Sequence, residues 1–239
     1  MRINLEFMRE TFFLALGGVP VTLKITGVAL FFGLLLGFLL ALTRVYKIKI
    51  LSPVVAGYVS LIRGTPTVLQ VLLVYSVVPS LLNTLVKRLG WQLNVFDINP
   101  VLYAYVVFGV NTTALLTEIF RSALLAVSKT QLEAALSVGL TPFWAYVRII
   151  VPQAVEKALP NICTTTVNLL KGTSLAFMLS VADVTAIAKT QAAFGYNYLE
   201  AYADIFVIYI LLCGGVQILF YFIERRLTQH RRSATAQGG

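Results

Sequence analysis

Five apolar runs, at residues 19–43, 53–82, 100–127, 149–179 and 201–223, leave this chain little choice of fold. Each is long enough to cross a bilayer, because about 20 apolar residues wound as a helix traverse the hydrocarbon core. Lipid offers the backbone no hydrogen bonds, so each run has to satisfy its own N–H and C=O groups. The fold class expected is an all-α integral membrane protein with five transmembrane helices in a single domain, 1–239. Only 12% of residues are charged and the mean hydropathy is +0.84, whereas soluble domains are about a quarter charged. Around Arg2, Glu6, Arg9 and Glu10 there is no short apolar core with a small-residue cleavage site, so no removable signal peptide is expected.

The net charge is +9, and the basic residues gather at the ends of the apolar runs. Arg44, Lys47 and Lys49 follow the first run with no acid among them, which places that loop in the cytoplasm. Lys129 and the tail residues Arg225, Arg226, Arg231 and Arg232 fall on the same side. Five spans then put the N-terminus outside and the C-terminus in the cytoplasm of a multi-pass cell-membrane protein. No basic stripe interleaves with aromatics, so no nucleic-acid partner is expected. Cys163 and Cys213 lie inside apolar runs and read as small buried hydrophobes. His230 sits in the basic tail without partners for a metal.

Polar groups inside the runs carry more information. Residues 5–17 alternate charged and apolar groups at helical spacing, as an interfacial amphipathic helix does. Lys24 can snorkel to the headgroups, and Gly33 with Gly37 makes a small-xxx-small pair suited to close helix packing. Arg63-Gly64-Thr65-Pro66 interrupts the second run. It is either a kink whose arginine reaches the inner headgroups or a bent helix lining a polar path. In the third run, Glu118 and Arg121 share a helix face and can pair, as a structural pair at the interface or as a functional intramembrane acid. The fourth run holds Glu156, Lys157, Asn168, Lys171, Thr173 and Ser174, too many polar groups to face lipid, and Pro160 should bend it. Residues 87–99 and 182–200 read as outer loops.

The connection 128–148 and the residues up to Pro152 contain helix formers, an acid, a Gly and a Pro. That is a composition suited to a helix gripped from outside the bilayer. The sequence has no Ser-His-Asp set, no HExxH, no metal-spaced Cys or His and no phosphate-binding glycine loop. Kinked spans with polar residues near the midplane fit transport better than catalysis. Any ATP-derived energy would come from a partner. Five spans are too few to enclose a wide path, so a second copy or a similar subunit is expected.

Glu133-Ala134-Ala135, then Gly139, Ile149 and Val151-Pro152, resembles the EAA loop of binding-protein-dependent ABC importer permeases, with Val151 where the family prefers Leu. Arg63-Gly64-Thr65-Pro66 with Gln70 and Tyr75 resembles the RGTP segment of the polar amino-acid permeases. Glu118-Ile119-Phe120-Arg121 is similar to their E-I-x-R segment. Gln131 stands where theirs does, although Thr130 replaces the usual Gly. Lys171-Gly172-Thr173-Ser174-Leu175 resembles their KDTSL segment, and the match covers nearly the whole chain from the first span onward.

The resemblance implies a type I ABC importer permease in which 128–148 forms a cytoplasmic coupling helix. Glu133, Ala134, Ala135, Gly139 and Pro152 would serve the ATPase contact. Arg63, Thr65, Glu118, Asn168, Lys171, Thr173 and Ser174 are candidates for the substrate path. The implied partners are an ABC ATPase dimer, a second permease copy or a sister permease, an extracytoplasmic substrate-binding protein and a polar amino acid. This chain itself would carry no cofactor; ATP and Mg would sit on the ATPase. Gly172 stands where family members often have Asp, so an acidic contact to a substrate amino group does not carry over. The KGTSL form is similar to cystine permeases; basic amino acids or glutamine are the other substrates considered. An ABC exporter or channel subunit, and an intramembrane enzyme using Glu118 and Lys171, are the rival functions.

Overall fold

In the computed structural model, residues 3–91 and 94–236 are described, with side chains as far as Leu227. His230, Arg231 and Arg232 lie outside the described side chains. Ten α-helices and three shorter helical turns make up the described residues, with no strand among them.

Helix α1 (Leu5–Leu16) starts at Asn4, whose Oδ1 accepts the Phe7 N–H. It is more than an interfacial helix. Thr11 and Ala15 are buried against other helices, and the Asn4 N–H donates to Glu200 Oε1 at 3.0 Å. Helix α2 (Val19–Val45) follows after Gly17 and Gly18. A Cβ on Gly18 would lie 2.4 Å from the Val184 nitrogen, so only glycine permits this approach.

The expected second span, 53–82, is two helices. Helix α3 (Leu51–Gly64) ends at Thr65 with φ −116° and ψ 142°, and α4 (Thr67–Arg88) begins after Pro66. The proline ring excludes the helical region for the residue before it and supplies no N–H of its own, so the chain breaks rather than bends. Helix α4 alone is long and apolar enough to cross a membrane. A short turn (Val95–Asp97) leads to α5 (Pro100–Leu125), capped by Asn99, whose Oδ1 accepts the Val101 N–H at 3.0 Å.

Helix α5 is the centre of the bundle. It packs along α2 with Gly33 and Gly37 at the seam: a Cβ there would meet Thr112 Cγ2 at 2.7 Å and Leu116 Cβ at 3.0 Å. The small pair read from the sequence therefore brings these two backbones together. Ala41, Leu116, Phe120, Leu124, Ala154 and Ile162 form the core at the end bearing the basic loops.

After α6 (Lys129–Ser137) a continuous helical run starts at Pro142, not near residue 149. It comprises α7 (Pro142–Ala145), a π turn (Tyr146–Ile150), α8 (Val151–Gly172) and a 3₁₀ stretch (Thr173–Leu179). Pro152 lies one turn into this run rather than at its start. Lacking an N–H, it cannot make the α bond to the residue 148 carbonyl, and the wider π turn lies where that bond is missing. Pro160 sits inside α8. The expected outer loop 182–200 is largely helical. Asp183 accepts the Ala186 N–H and starts α9 (Val184–Gly195), and Tyr196 at φ 56° closes it before α10 (Tyr198–Ala236).

Among the described residues, α2, α4, α5 and α10 qualify as membrane spans by length and apolarity. The run Pro142–Leu179 bends by 51° into α9 and gives a fifth when the pair is counted as one. Its polar residues keep it from qualifying alone. Cys163 is half-buried, Cys213 is buried, and neither is in a disulfide.

Candidate functional site

Helix α6 is held from the inside and open on the outside. Ser128 Oγ accepts the Thr130 N–H, an N-cap that begins the helix sharply after α5. At the other end Gly139 N–H donates to Leu136 O at 3.0 Å, and Leu140 N–H to Ala135 O at 3.1 Å. These bonds need a left-handed residue, and Gly139 supplies it at φ 84°. Ala135 is 2% exposed and Leu132 packs against the α2–α5–α8 core. Glu133 and Ala134 face outward. Beside them stand Leu136, Val138, Phe143 and Trp144, at 41%, 78%, 67% and 44% exposed. Leu136 and Val138 lie between the candidate spans and Phe143 and Trp144 open the run Pro142–Leu179; an exposed apolar patch of this kind beside a charged residue marks an interaction surface.

The seat of this helix is tied to three others. Lys157 Nζ, on α8, donates to the Ala126 carbonyl at the end of α5, supplying a cation where the helix leaves carbonyls unpaired. The Tyr46 ring lies 5.4 Å from that of Tyr146 in the π turn. Burial first, and then Tyr146, push the Tyr46 phenol up to about 12, so it stays protonated throughout the physiological range. The Arg148 guanidinium stacks 4.6 Å above the Trp144 ring.

Glu118 links two of the helices beneath this end of the bundle. Its Oε2 accepts from Arg44 Nη1 at 2.6 Å, and Arg121 donates to both carboxylate oxygens. The pairing with Arg121 expected from the sequence is present, and Arg44 on α2 completes it. With both oxygens engaged, the carboxylate joins α2 to α5. In the sequence Arg44 is only a topology signal; nothing local distinguishes a headgroup-facing arginine from one paired across helices.

At the α3–α4 break, Thr65 Oγ1 donates to Leu61 O at 2.9 Å. Gln70 Nε2 donates to Ile62 O and to Thr65 Oγ1, both at 2.9 Å, and Asn111 Nδ2 on α5 donates to Gln70 Oε1 at 3.0 Å. One glutamine therefore supplies the donor that the break leaves missing and ties it to α5. Arg63 is exposed beside it.

On α8, Asn168 and Lys171 are exposed and three residues apart, hence on one face. Lys171 lines a cavity of about 460 Å³ with Tyr209, Cys213 and Gln217 of α10. Thr173 is fully buried and its hydroxyl donates to Leu170 O at 2.7 Å, while Ser174 is half-buried. The path candidates thus fall in separate places: Arg63 and Thr65 at the break, Asn168 and Lys171 on the α8 face, Thr173 in the core. No group of three His, Cys, Asp or Glu among the described residues is placed to hold a metal.

A broken span beside polar side chains, with a short helix flanked by exposed apolar residues at the basic end, is the arrangement that a transport subunit requires. Residues 33–229 match the model of the family described as "Binding-protein-dependent transport system inner membrane component", and the chain belongs to that family. It is 36% identical to the "Probable amino-acid permease protein YxeN" of Bacillus subtilis (strain 168), over 97% of this chain and 99% of that one. It is 32% identical to the "L-cystine transport system permease protein TcyL" of the same organism, over 89% of this chain and 87% of that one. The fold superposes with a TM-score of 0.79 and 30% identity on a chain of the "Crystal structure of an amino acid ABC transporter with histidines", covering 95% of this chain and 100% of that one. The likeness to polar amino-acid permeases that the motifs carried holds at the level of family and fold.

Proposed function

We propose that this chain is the permease subunit of an ATP-driven, binding-protein-dependent importer of a polar amino acid. The observation that carries the coupling role is α6: a helix with a buried inner face, an outward Glu133 and a flank of exposed Leu136, Val138, Phe143 and Trp144. In this reading α6 is the coupling helix, and an ABC ATPase dimer holding ATP and Mg covers that flank from the cytoplasm. Force on α6 passes through Ala135 and Leu132 into the core and through Lys157 and Tyr146 into α8 and α2. The C-terminus is cytoplasmic and the N-terminus outside, following the basic loops. A second copy or a sister permease closes the path, and an extracytoplasmic binding protein delivers the substrate. L-cystine is the substrate named for one relative and is the first to test; glutamine and basic amino acids are the alternatives.

The test is uptake in cells carrying the complete importer. Glu133→Lys puts the wrong charge on the docking face, and Gly139→Asp puts a side chain at a left-handed position. Both are expected to abolish uptake with membrane insertion and expression unchanged. Normal uptake in both variants would overturn the reading. Function retained after deletion of the binding protein would favour an exporter or channel subunit instead.

A further inference from the structure

The turn that joins α2 to α3 is five residues long, Tyr46 to Ile50, and every one of them is exposed. Charge and apolarity alternate along it: Lys47 and Lys49 stand between Tyr46, Ile48 and Ile50. Arg44, just before the turn, is paired with Glu118, whereas Lys47 and Lys49 are in no ion pair with a described residue. Two ammoniums are therefore left with their charge uncompensated at the end of a spanning helix. The turn is also held at both ends. The Tyr46 ring rests against Tyr146, and the Ser52 N–H donates to the Ile48 carbonyl at 2.8 Å.

Its backbone singles out one of the two lysines. The Ile48 N–H donates to the Thr43 carbonyl at 3.0 Å and the Lys47 N–H to the Arg44 carbonyl at 3.4 Å, the pair of bonds that closes a helix on a left-handed residue. That residue is Lys47, at φ 51°. Helices α4 and α6 end on the same pair of bonds with Gly90 and Gly139 in that position, at φ 70° and 84°. A lysine there strains the backbone where glycine would not, and such strain gathers where a side chain serves a ligand. The apolar members of the turn point to the kind of ligand. Ile50, Val54 and Leu61, at helical spacing on one face of α3, are 77%, 63% and 65% exposed. Apolar side chains interleaved with lysines suit the boundary of a bilayer, where the former enter the acyl region and the latter reach the headgroups.

We propose that the α2–α3 turn is a binding site for an anionic phospholipid, with Lys47 and Lys49 on the headgroup and Ile48, Ile50 and Val54 among the acyl chains. An anionic lipid meets both halves of the turn at once: its phosphate and net charge match the two ammoniums, and its chains cover the apolar residues between and beside them. The left-handed backbone at Lys47 sets that ammonium on a fixed stem instead of a slack loop. The inference concerns the lipid and goes beyond the importer reading, which it does not require.

Native mass spectrometry of the full-length chain in dodecyl maltoside, titrated with phosphatidylglycerol or with phosphatidylcholine of the same acyl chains, reads the site directly. A lysine at the membrane surface adds about fivefold to the affinity for an anionic lipid. The wild type should therefore bind phosphatidylglycerol at least about tenfold more tightly than phosphatidylcholine. Lys47→Gln and Lys49→Gln should each weaken phosphatidylglycerol about fivefold and leave phosphatidylcholine unchanged, while Lys47→Arg keeps the wild-type affinity. Lys47→Gly removes the charge and the backbone strain together. It should lose affinity as Lys47→Gln does, with a thermal midpoint in lipid-free detergent no lower than that of the wild type. Lys87→Gln, at the far end of α4, is the control and should bind as the wild type does. Equal binding of the two lipids by the wild type, affinities unmoved in the Lys47 and Lys49 variants, or an equal loss in Lys87→Gln overturns the proposal. A lowered midpoint in Lys47→Gly makes that lysine structural and removes it from the site. Inorganic phosphate that displaces phosphatidylglycerol at the same concentration marks a free-anion site and overturns the lipid. Variants that keep their lipid affinity but no longer assemble with the ATPase assign the turn to a protein partner instead.

Discussion

Glu118 reads from sequence either as a structural pair or as a functional acid, and the structure shows the pair. Acids inside a span are functional candidates by default, yet its two oxygens are occupied by Arg44 and Arg121. The three side chains are about a quarter exposed, so solvent screens part of the attraction. A double-mutant cycle on Arg44→Gln and Glu118→Gln in the detergent-purified chain should give a coupling energy of about 1 kcal/mol. Additive losses would mean that the pair does not join α2 to α5. Gly139 makes a simpler case. Nothing lies within 4 Å of the Cβ that alanine would add there, so Gly139→Ala should cost only the left-handed backbone term, about 1 kcal/mol. Thermal unfolding would read it as a small shift, with uptake reduced less than in Gly139→Asp.

At the scale of elements, the α3–α4 break and the π turn both follow from prolines, but only the break was legible. Pro66 stands after Thr65 and Gly64 in the middle of an apolar run, so the interruption was visible, though as a bend. What holds the broken ends is Gln70, which bonds Ile62 and Thr65 behind it and accepts from Asn111 across on α5. Gln70→Leu leaves a backbone carbonyl and an amide without their partner, a loss of about 2 kcal/mol at a partly buried site. Its thermal midpoint should fall clearly below that of Thr65→Ala, which keeps the Ile62 and Asn111 bonds; equal midpoints would deny Gln70 the role of staple. The π turn was not legible, because Pro152 looks the same whether it opens a helix or sits one turn inside. Helix α9 was missed for a related reason. VTAIAKTQAAFG is short, mixed in polarity and flanked by turn residues, and only its packing against α1 and α10 makes it a stable helix.

For the whole molecule, the α2–α5 seam is the contact on which the rest depends. Both the core at the basic end and the core around Phe108 include residues of these two helices. Gly33→Leu places a branched side chain where a single carbon would already meet Thr112 at 2.7 Å. Overpacking of this kind costs about 1–3 kcal/mol where neighbours can shift, and here backbone separation is what would have to give. The expected outcome is a lower thermal midpoint and weaker assembly with the ATPase; Gly27→Leu, with nothing within 4 Å of its Cβ, is the matched control and should match the wild type.

The apolar runs, their basic flanks and the Glu133–Gly139 spacing determined by themselves that this chain is a multi-pass helical membrane protein with a surface helix in 128–148. Lipid forces that outcome, because a segment with no water to bond must bond to itself, and the pattern for doing so is local. Where each polar side chain inside the spans points was decided only by tertiary structure. Glu118 turned to two arginines, Thr65 to its own helix and to Gln70, Thr173 to the carbonyl behind it, while Lys171 came to line a cavity wall. Those choices depend on partners from other helices and on which face the packing leaves open. A pattern along one helix does not contain them.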